Sequence, residues 1–245
     1  MHEAQMHEAN CFVTLTYDDQ HLVNRHGLNY RDFQLFMKRL RKKFTGQKVR
    51  FYMCGEYGET FSRPHFHACL FGIDFPDKEP ISKLASQAKL YNSATLTTLW
   101  PHGYSSVGAV TFQSAAYVAR YVMKKITGDR ATAHYTVIDE HGEIHQKTPE
   151  FCHMSLKPGI GHSWLQRYHS DVYPSDQVIA QGHPSKPPRY YDKQLNKTDP
   201  ALLAEIKTQR EFKQYPHRGD NTDQRLRAKE LVTLAKTNQL KRTIS

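Results

Sequence analysis

The sequence predicts an α+β fold, an antiparallel sheet with helices packed on it, and three observations carry that prediction. Short segments rich in β-branched and aromatic residues alternate with period two, as in CFVTLTY from Cys11 to Tyr17. Two such segments, KVRFYMCGEYG and PHFHACLFG, are joined by a loop too short for a crossover helix, which requires an antiparallel hairpin. Between these runs the apolar period changes to that of a helix, most clearly from Asn29 to Phe44. The 245 residues suffice for one large domain, or for a core domain with an extension.

The elements follow in chain order. CFVTLTY is the first strand, and Asp18, Asp19 and Gln20 end it. Phe33, Phe36, Met37, Leu40 and Phe44 form one helical stripe, with Asn29 as N-cap. The other side and last turn carry Lys38, Arg39, Arg41, Lys42 and Lys43. Late cations suit the negative end of a helix dipole; a phosphate-contacting edge is the alternative, and both stand. The hairpin supplies strands two and three. Pro80 precedes a predicted helix ending near Trp100. YSSVGAVTF is a fourth strand running into a helix from Gln113 to Thr127, and HYTVIDEHGEIHQ is a hairpin turning at Glu140 to Gly142. EFCHMSL is a further short strand. HPSKPPRYYDK reads as an extended linker, and Asp199 to Leu240 as a charged helical appendage with a weak apolar face. The expected division is a catalytic domain over residues 1–175 and a linker with helical extension over 176–245.

Composition bounds the function. Lys and Arg number 34 against 24 Asp and Glu, a formal charge of +10, with a pI near 9.4 and a mean hydropathy of −0.71. Such a balance favours a polyanionic partner, usually nucleic acid. No apolar run approaches the roughly 20 residues that span a bilayer, and MHEAQMHEAN lacks the layout of a secretory signal. A cytoplasmic location without membrane contact is expected. Cys11, Cys54, Cys69 and Cys152 form no close pair, so reduced thiols rather than a disulfide framework are expected.

Two constellations carry chemistry. His65 and His67 share one face of a strand, with Phe66, Ala68 and Leu70 on the other. Two adjacent imidazoles make two corners of a divalent-metal site; solvent-facing strand histidines are the plain alternative. Glu56, across the hairpin, is the first choice of third ligand and Glu59 the second. The second constellation is Tyr117 and Tyr121, four apart on a predicted helix. At about 100° per residue, they share a side with Arg120 and Lys124. Ala115, Val118, Ala119, Val122, Met123 and Ile126 fall opposite. Arg120 and Lys124 would favour a phenolate, and a metal at the histidines would balance in-line attack on a phosphodiester. The product would be a phosphotyrosine, so the strand could be rejoined without ATP.

These residues resemble a known family. RPHFHACLF is similar to the His-hydrophobic-His motif of the HUH endonucleases. YVARYVMKK resembles the two-tyrosine motif of rolling-circle replication initiators from the microviruses, especially the gokushoviruses, and FVTLTYDD resembles their first strand motif. LNYRDFQLFMKRLRKKF, CGEYGE, MSLKPGIG and PPRYYDK extend the resemblance over most of the chain. It implies a central sheet of about five antiparallel strands with flanking helices, the RRM-like palm of the HUH fold. It implies Mg2+ or Mn2+ held by His65, His67 and an acidic residue, here Glu56. Tyr117 and Tyr121 are the implied nucleophiles, with Lys124 assisting at the phosphate. Arg120, Lys125, Lys38, Arg39, Arg41, Lys42 and Lys43 are the expected DNA contacts. The implied substrate is single-stranded DNA at a phage origin, nicked and rejoined in the cytoplasm of a bacterial host alongside its helicase and replication machinery. Related phage proteins often carry a longer amino-terminal segment with several cysteines. A plasmid relaxase or transposase of the same superfamily, and a non-catalytic basic DNA-binding protein, are the rival expectations. A small-molecule His-x-His hydrolase explains neither the charge nor the tyrosines.

Overall fold

The computed structural model describes residues 1–22, 27–58, 62–81, 89–120, 125–139 and 141–239. The chain divides into two compact units, the first ending at Ile160 and the second beginning at Gly161.

The first unit runs β1 (Asn10–Tyr17), α1 (Asp19–Leu22), α2 (Tyr30–Lys43), β2 (Arg50–Tyr57), β3 (Pro64–Phe71), β4 (Lys78–Pro80), β5 (Tyr91–Ser93), α3 (Ala94–Leu99) and β6 (Gly103–Gly108). It continues with α4 (Phe112–Arg120), α5 (Arg130–Tyr135), β7 (Thr136–Ile138), β8 (Ile144–Gln146) and β9 (Phe151–Met154). One antiparallel sheet holds seven strands in the order β4-β5-β6-β1-β3-β2-β9. The five strands from β6 to β9 make the expected sheet, and the three-residue strands β5 and β4 extend it at one edge. β7 and β8 form the predicted hairpin as a separate ribbon.

The alternation of β1 sorts the two faces. Val13, Leu15 and Tyr17 point to one side, with Met53, Phe66, Ala68, Leu70 and Val107 from neighbouring strands. Phe33, Phe36, Met37 and Leu40 of α2 cover this face, joined by Leu96 and Leu99 of α3 and by Trp100. Asn29 caps α2 as expected, its side chain accepting from Arg31 N–H at 3.1 Å. The other face carries Phe12, Cys54, Cys69 and Phe71, covered in part by Tyr117 and Val118 of α4. A reciprocal cap starts α4: Thr111 Oγ1 accepts from Ser114 N–H at 3.1 Å, and Ser114 Oγ accepts from Thr111 N–H at 2.8 Å.

Two helix boundaries differ from expectation. The helix before Trp100 spans only Ala94–Leu99, because Ser93 ends strand β5 and then caps the helix at Leu96 N–H, 3.0 Å away. After Arg120, residues 125–127 are outside any helix, so α4 ends short of Thr127.

The second unit contains α6 (His162–Arg167), α7 (His169–Val172), β10 (Val178–Ala180), β11 (His183–Ser185), α8 (Arg189–Thr198), α9 (Pro200–Gln214) and α10 (Asp223–Asn238). The stretch expected to be a linker instead forms a strand paired to β10 and the start of α8. Pro188 ends the extended run there and precedes the first helical residue. Leu165, Val172, Tyr173, Val178, Tyr191, Leu195, Leu203 and Ile206 form a core of their own. Residues beyond Asp199 therefore contribute to a packed unit, which corrects the expectation of an appendage. Arg210 bridges Asp176 and Asp192, and Tyr173 O–H donates to Asp192 at 2.8 Å. Gly161, at φ +80°, lies so close to Tyr191 that a Cβ would meet its hydroxyl at 2.8 Å.

Candidate active site

Register builds the site. Directly opposed residues of antiparallel strands share a face. Glu56 is opposite His65, Cys54 opposite His67, Thr14 opposite His67 and Thr16 opposite His65. The two imidazoles and the carboxylate therefore converge on the face partly covered by α4. Glu56 Oε1 lies 2.9 Å from His65 Nε2 and 2.8 Å from His67 Nε2. Glu56 is 1% exposed.

The far side of each imidazole is also engaged. His65 Nδ1 is 2.9 Å from the Arg63 carbonyl, and His67 Nδ1 is 3.0 Å from Thr14 Oγ1. A carbonyl only accepts, so His65 carries its proton on Nδ1. In the neutral ring Nε2 then presents a lone pair toward a carboxylate oxygen. Two acceptors at that distance require a positive charge between them, either a second ring proton or a cation. Burial pushes the Glu56 carboxyl upward, but hydrogen bonds from His65 and His67 outweigh it and hold the group down at about 2. The carboxylate is thus ionised at neutral pH. Two imidazole nitrogens and one carboxylate oxygen, all within 4.8 Å of one another, suit a divalent cation and leave positions for water or a phosphate oxygen.

Tyr117 completes the cluster. Its O–H donates to Glu56 Oε1 at 3.1 Å, and its ring meets that of His67 edge-on with centroids 4.9 Å apart. Phe12 stacks on the same His67 ring, with centroids 5.6 Å apart. The expected helix faces need correction. Tyr117 is 8% exposed and buries the same side as Ser114 and Val118, while Ala119 is exposed. The stripe at 114, 117 and 118 follows the i, i+3, i+4 spacing, and the phenol suits burial because its polar end reaches Glu56.

Other expected residues are dispersed. Tyr121, Lys124 and Glu59 lie outside the described residues. Arg120 is half-buried at the end of α4, and Lys125 is exposed beyond it. The α2 cations sit on the helix that covers the opposite sheet face. Arg39 donates to the Leu99 carbonyl at 2.8 Å and Arg41 to that of Val49 at 3.2 Å. Lys38, Lys42 and Lys43 are exposed. Thr14 and the Arg63 carbonyl are groups that sequence reasoning misses. Thr14 and Thr16 interrupt the apolar run of β1 at alternate positions, a visible signal, but their pairing to His67 and His65 depends on register. A second group, Asp139, Glu143 and His145, also has converging donors. There Asp139 accepts from His141 and Glu143 N–H groups and pairs with His145, so the arrangement closes the β7–β8 turn.

Residues 10–126 match the family model of the phage-type replication-associated protein ORF2. The chain is 34% identical over 209 residues to replication-associated protein VP4 of Bdellovibrio phage phiMH2K, covering 81% of this chain and 62% of that protein. It is 30% identical over 215 residues to replication-associated protein ORF2 of Spiroplasma virus 4, covering 82% and 63%. To replication-associated protein ORF4 of Chlamydia phage 1 it is 37% identical over 131 residues, covering 50% and 32%. The chain thus spans less than two thirds of the length of these relatives. No solved structure matches it.

Proposed function

We propose, from the premise that this chain belongs to the ORF2 family of phage replication-associated proteins, that it nicks and rejoins single-stranded DNA at a phage replication origin. The observation that carries this is the Tyr117 hydroxyl bonded to a carboxylate that two imidazoles also face. A buried phenol beside a charged donor set is poorly suited to a purely structural DNA-binding role, and it is suited to covalent phosphoryl transfer.

His65, His67 and Glu56 are the residues that would hold Mg2+ or Mn2+. When bound, such a cation supplies polarisation of a phosphodiester oxygen and offsets charge built up during in-line attack. The chain's own groups do the rest. The Arg63 carbonyl and Thr14 fix the two rings. Glu56 orients the Tyr117 hydroxyl toward the reacting phosphate. The Tyr117 oxygen forms a bond to phosphorus as the bond from phosphorus to the 3′-oxygen breaks. The proton lost by the phenol balances the one gained by the departing 3′-hydroxyl. The 5′-phosphate is then esterified to tyrosine, and attack by a 3′-hydroxyl reverses the step and joins strands. Tyr121 is the proposed second nucleophile, Lys124 the group that steadies the phenolate, and Arg120 and Lys125 the nearby phosphate contacts. The reaction would start and end rolling-circle replication in the cytoplasm of a bacterial host, with the host helicase and replication machinery as partners. No helix among the described residues is long and apolar enough to cross a membrane.

Incubation with tiled single-stranded oligonucleotides and Mn2+, followed by a denaturing gel, tests this. A detergent-stable protein–DNA adduct that EDTA abolishes is expected. DNA binding that is steeply salt-dependent but yields no adduct on any oligonucleotide points instead to the non-catalytic DNA-binding protein.

A further inference from the structure

The row of side chains that contains the donor set continues past it. Glu56, His65, Thr16 and Tyr104 are consecutive register partners across β2, β3, β1 and β6, and so lie on one sheet face. Neighbouring strands are about 4.8 Å apart, so the row runs about 14 Å from the carboxylate to the far tyrosine. Exposure rises along it, from 1% at Glu56 to 69% at Tyr104. Thr16, and Ser106 in the adjoining row opposite Thr14, are half-buried hydroxyls between the two ends.

Tyr104 is an exposed ring on a fixed backbone. Gly103, at φ +141°, lets β6 begin flush against the end of β1: a Cβ there would lie 2.3 Å from Asp18 N and 2.6 Å from Thr16 O. Asp18 N–H also donates to His102 O at 3.0 Å. The backbone at Tyr104 is therefore held in the central part of the sheet, paired to Thr16. Its ring makes no hydrogen bond or ring contact among the described residues. Packing within the unit does not account for a large aromatic side chain held open beside the donor set.

We propose that Tyr104 is a base-stacking residue, whose ring receives a base of the single strand next to the phosphate held at His65, His67 and Tyr117. This rests on the endonuclease assignment above. Between Tyr104 and His65 lie two strand spacings, about 10 Å, which a short stretch of single strand spans over the Thr16 and Ser106 hydroxyls. An aromatic face accepts any base, so Tyr104 contributes affinity and placement of the strand, with sequence choice left to other contacts.

The test measures binding of a fluorescein-labelled oligothymidylate by anisotropy in EDTA, where cleavage plays no part. Tyr104→Ala is expected to raise Kd about tenfold, in the range of one base–aromatic stack, while Tyr104→Phe stays within about twofold of the parent. Because the ring is exposed, both variants keep the parent's melting temperature. Unchanged affinity in Tyr104→Ala overturns the stacking role, as does a Tyr104→Phe loss equal to that of Ala. The adduct assay is read separately. Adduct formation by the parent with unaltered Tyr104→Ala binding removes the stacking residue alone. Weakened Tyr104→Ala binding without any parent adduct removes the endonuclease assignment and leaves the stacking site in place.

Discussion

The Tyr117 hydroxyl donates to Glu56 Oε1 across 3.1 Å, joining residues 61 positions apart in the chain. Sheet register brings Glu56 to His65, and α4 brings the phenol to both. Tyr117→Phe keeps the ring against His67 and removes only the hydroxyl. It is expected to lower stability by about 1 kcal/mol, the net worth of one hydrogen bond, while removing Tyr117 as a nucleophile. Thermal melts and adduct gels on the same preparation separate the two effects.

Metal affinity should depend on the groups behind the ligands. His67→Ala is expected to weaken Mn2+ binding strongly. Thr14→Val removes only the oxygen 3.0 Å from His67 Nδ1, and losses at such supporting positions are about 10- to 100-fold. Titration calorimetry of the two variants checks this. Equal Mn2+ affinity in parent and His67→Ala contradicts the assigned donor set.

Arg39 should behave as a structural cation. Arg39→Ala leaves the Leu99 carbonyl without its 2.8 Å donor, at a cost of about 1–3 kcal/mol. Its effect on DNA affinity and on the salt slope should be negligible, because α2 covers the sheet face away from His65 and His67. A shallower salt slope for Arg39→Ala would place it at a phosphate instead.

The second unit should be acid-labile. Burial raises the Asp192 carboxyl, but hydrogen bonds from Arg210 and Tyr173 prevail and keep it below its ordinary value of 3.8. Since the folded form binds the proton less readily than the unfolded chain, this contribution is complete above about pH 4, the ordinary carboxylate range. It is lost as pH falls through the lowered folded value. Asp192→Asn should reduce stability at neutral pH and flatten the acid limb of a circular-dichroism titration. An unchanged acid limb would show that the Arg210 network does not govern it.

Much of the first unit was legible because its signals are local. Period-two alternation marked β1 and β3, Asn29 marked the start of α2, and the same rule put His65 and His67 on one face with Glu56 across the hairpin. The orientation of Tyr117 was not legible, because a short helix rich in alanine offers two competing stripes and only the sheet beneath selects one. The second core was hidden for a related reason. Leu165, Tyr173, Tyr191, Leu195, Leu203 and Ile206 come from several short elements, each with an apolar stripe too thin to show burial alone. Arg39 looked like a surface cation because nothing in its neighbours in sequence reveals the Leu99 carbonyl.

The most direct measurement is the site of covalent attachment. Trypsin cuts after Arg120, so Tyr117 and Tyr121 fall on separate peptides. Mass spectrometry of the Mn2+-dependent adduct should find nucleotide attached through phosphate to the peptide ending at Arg120, and that signal should vanish in Tyr117→Phe. Nucleotide found only on other residues, or an adduct unchanged in Tyr117→Phe, contradicts the role given to the phenol beside Glu56.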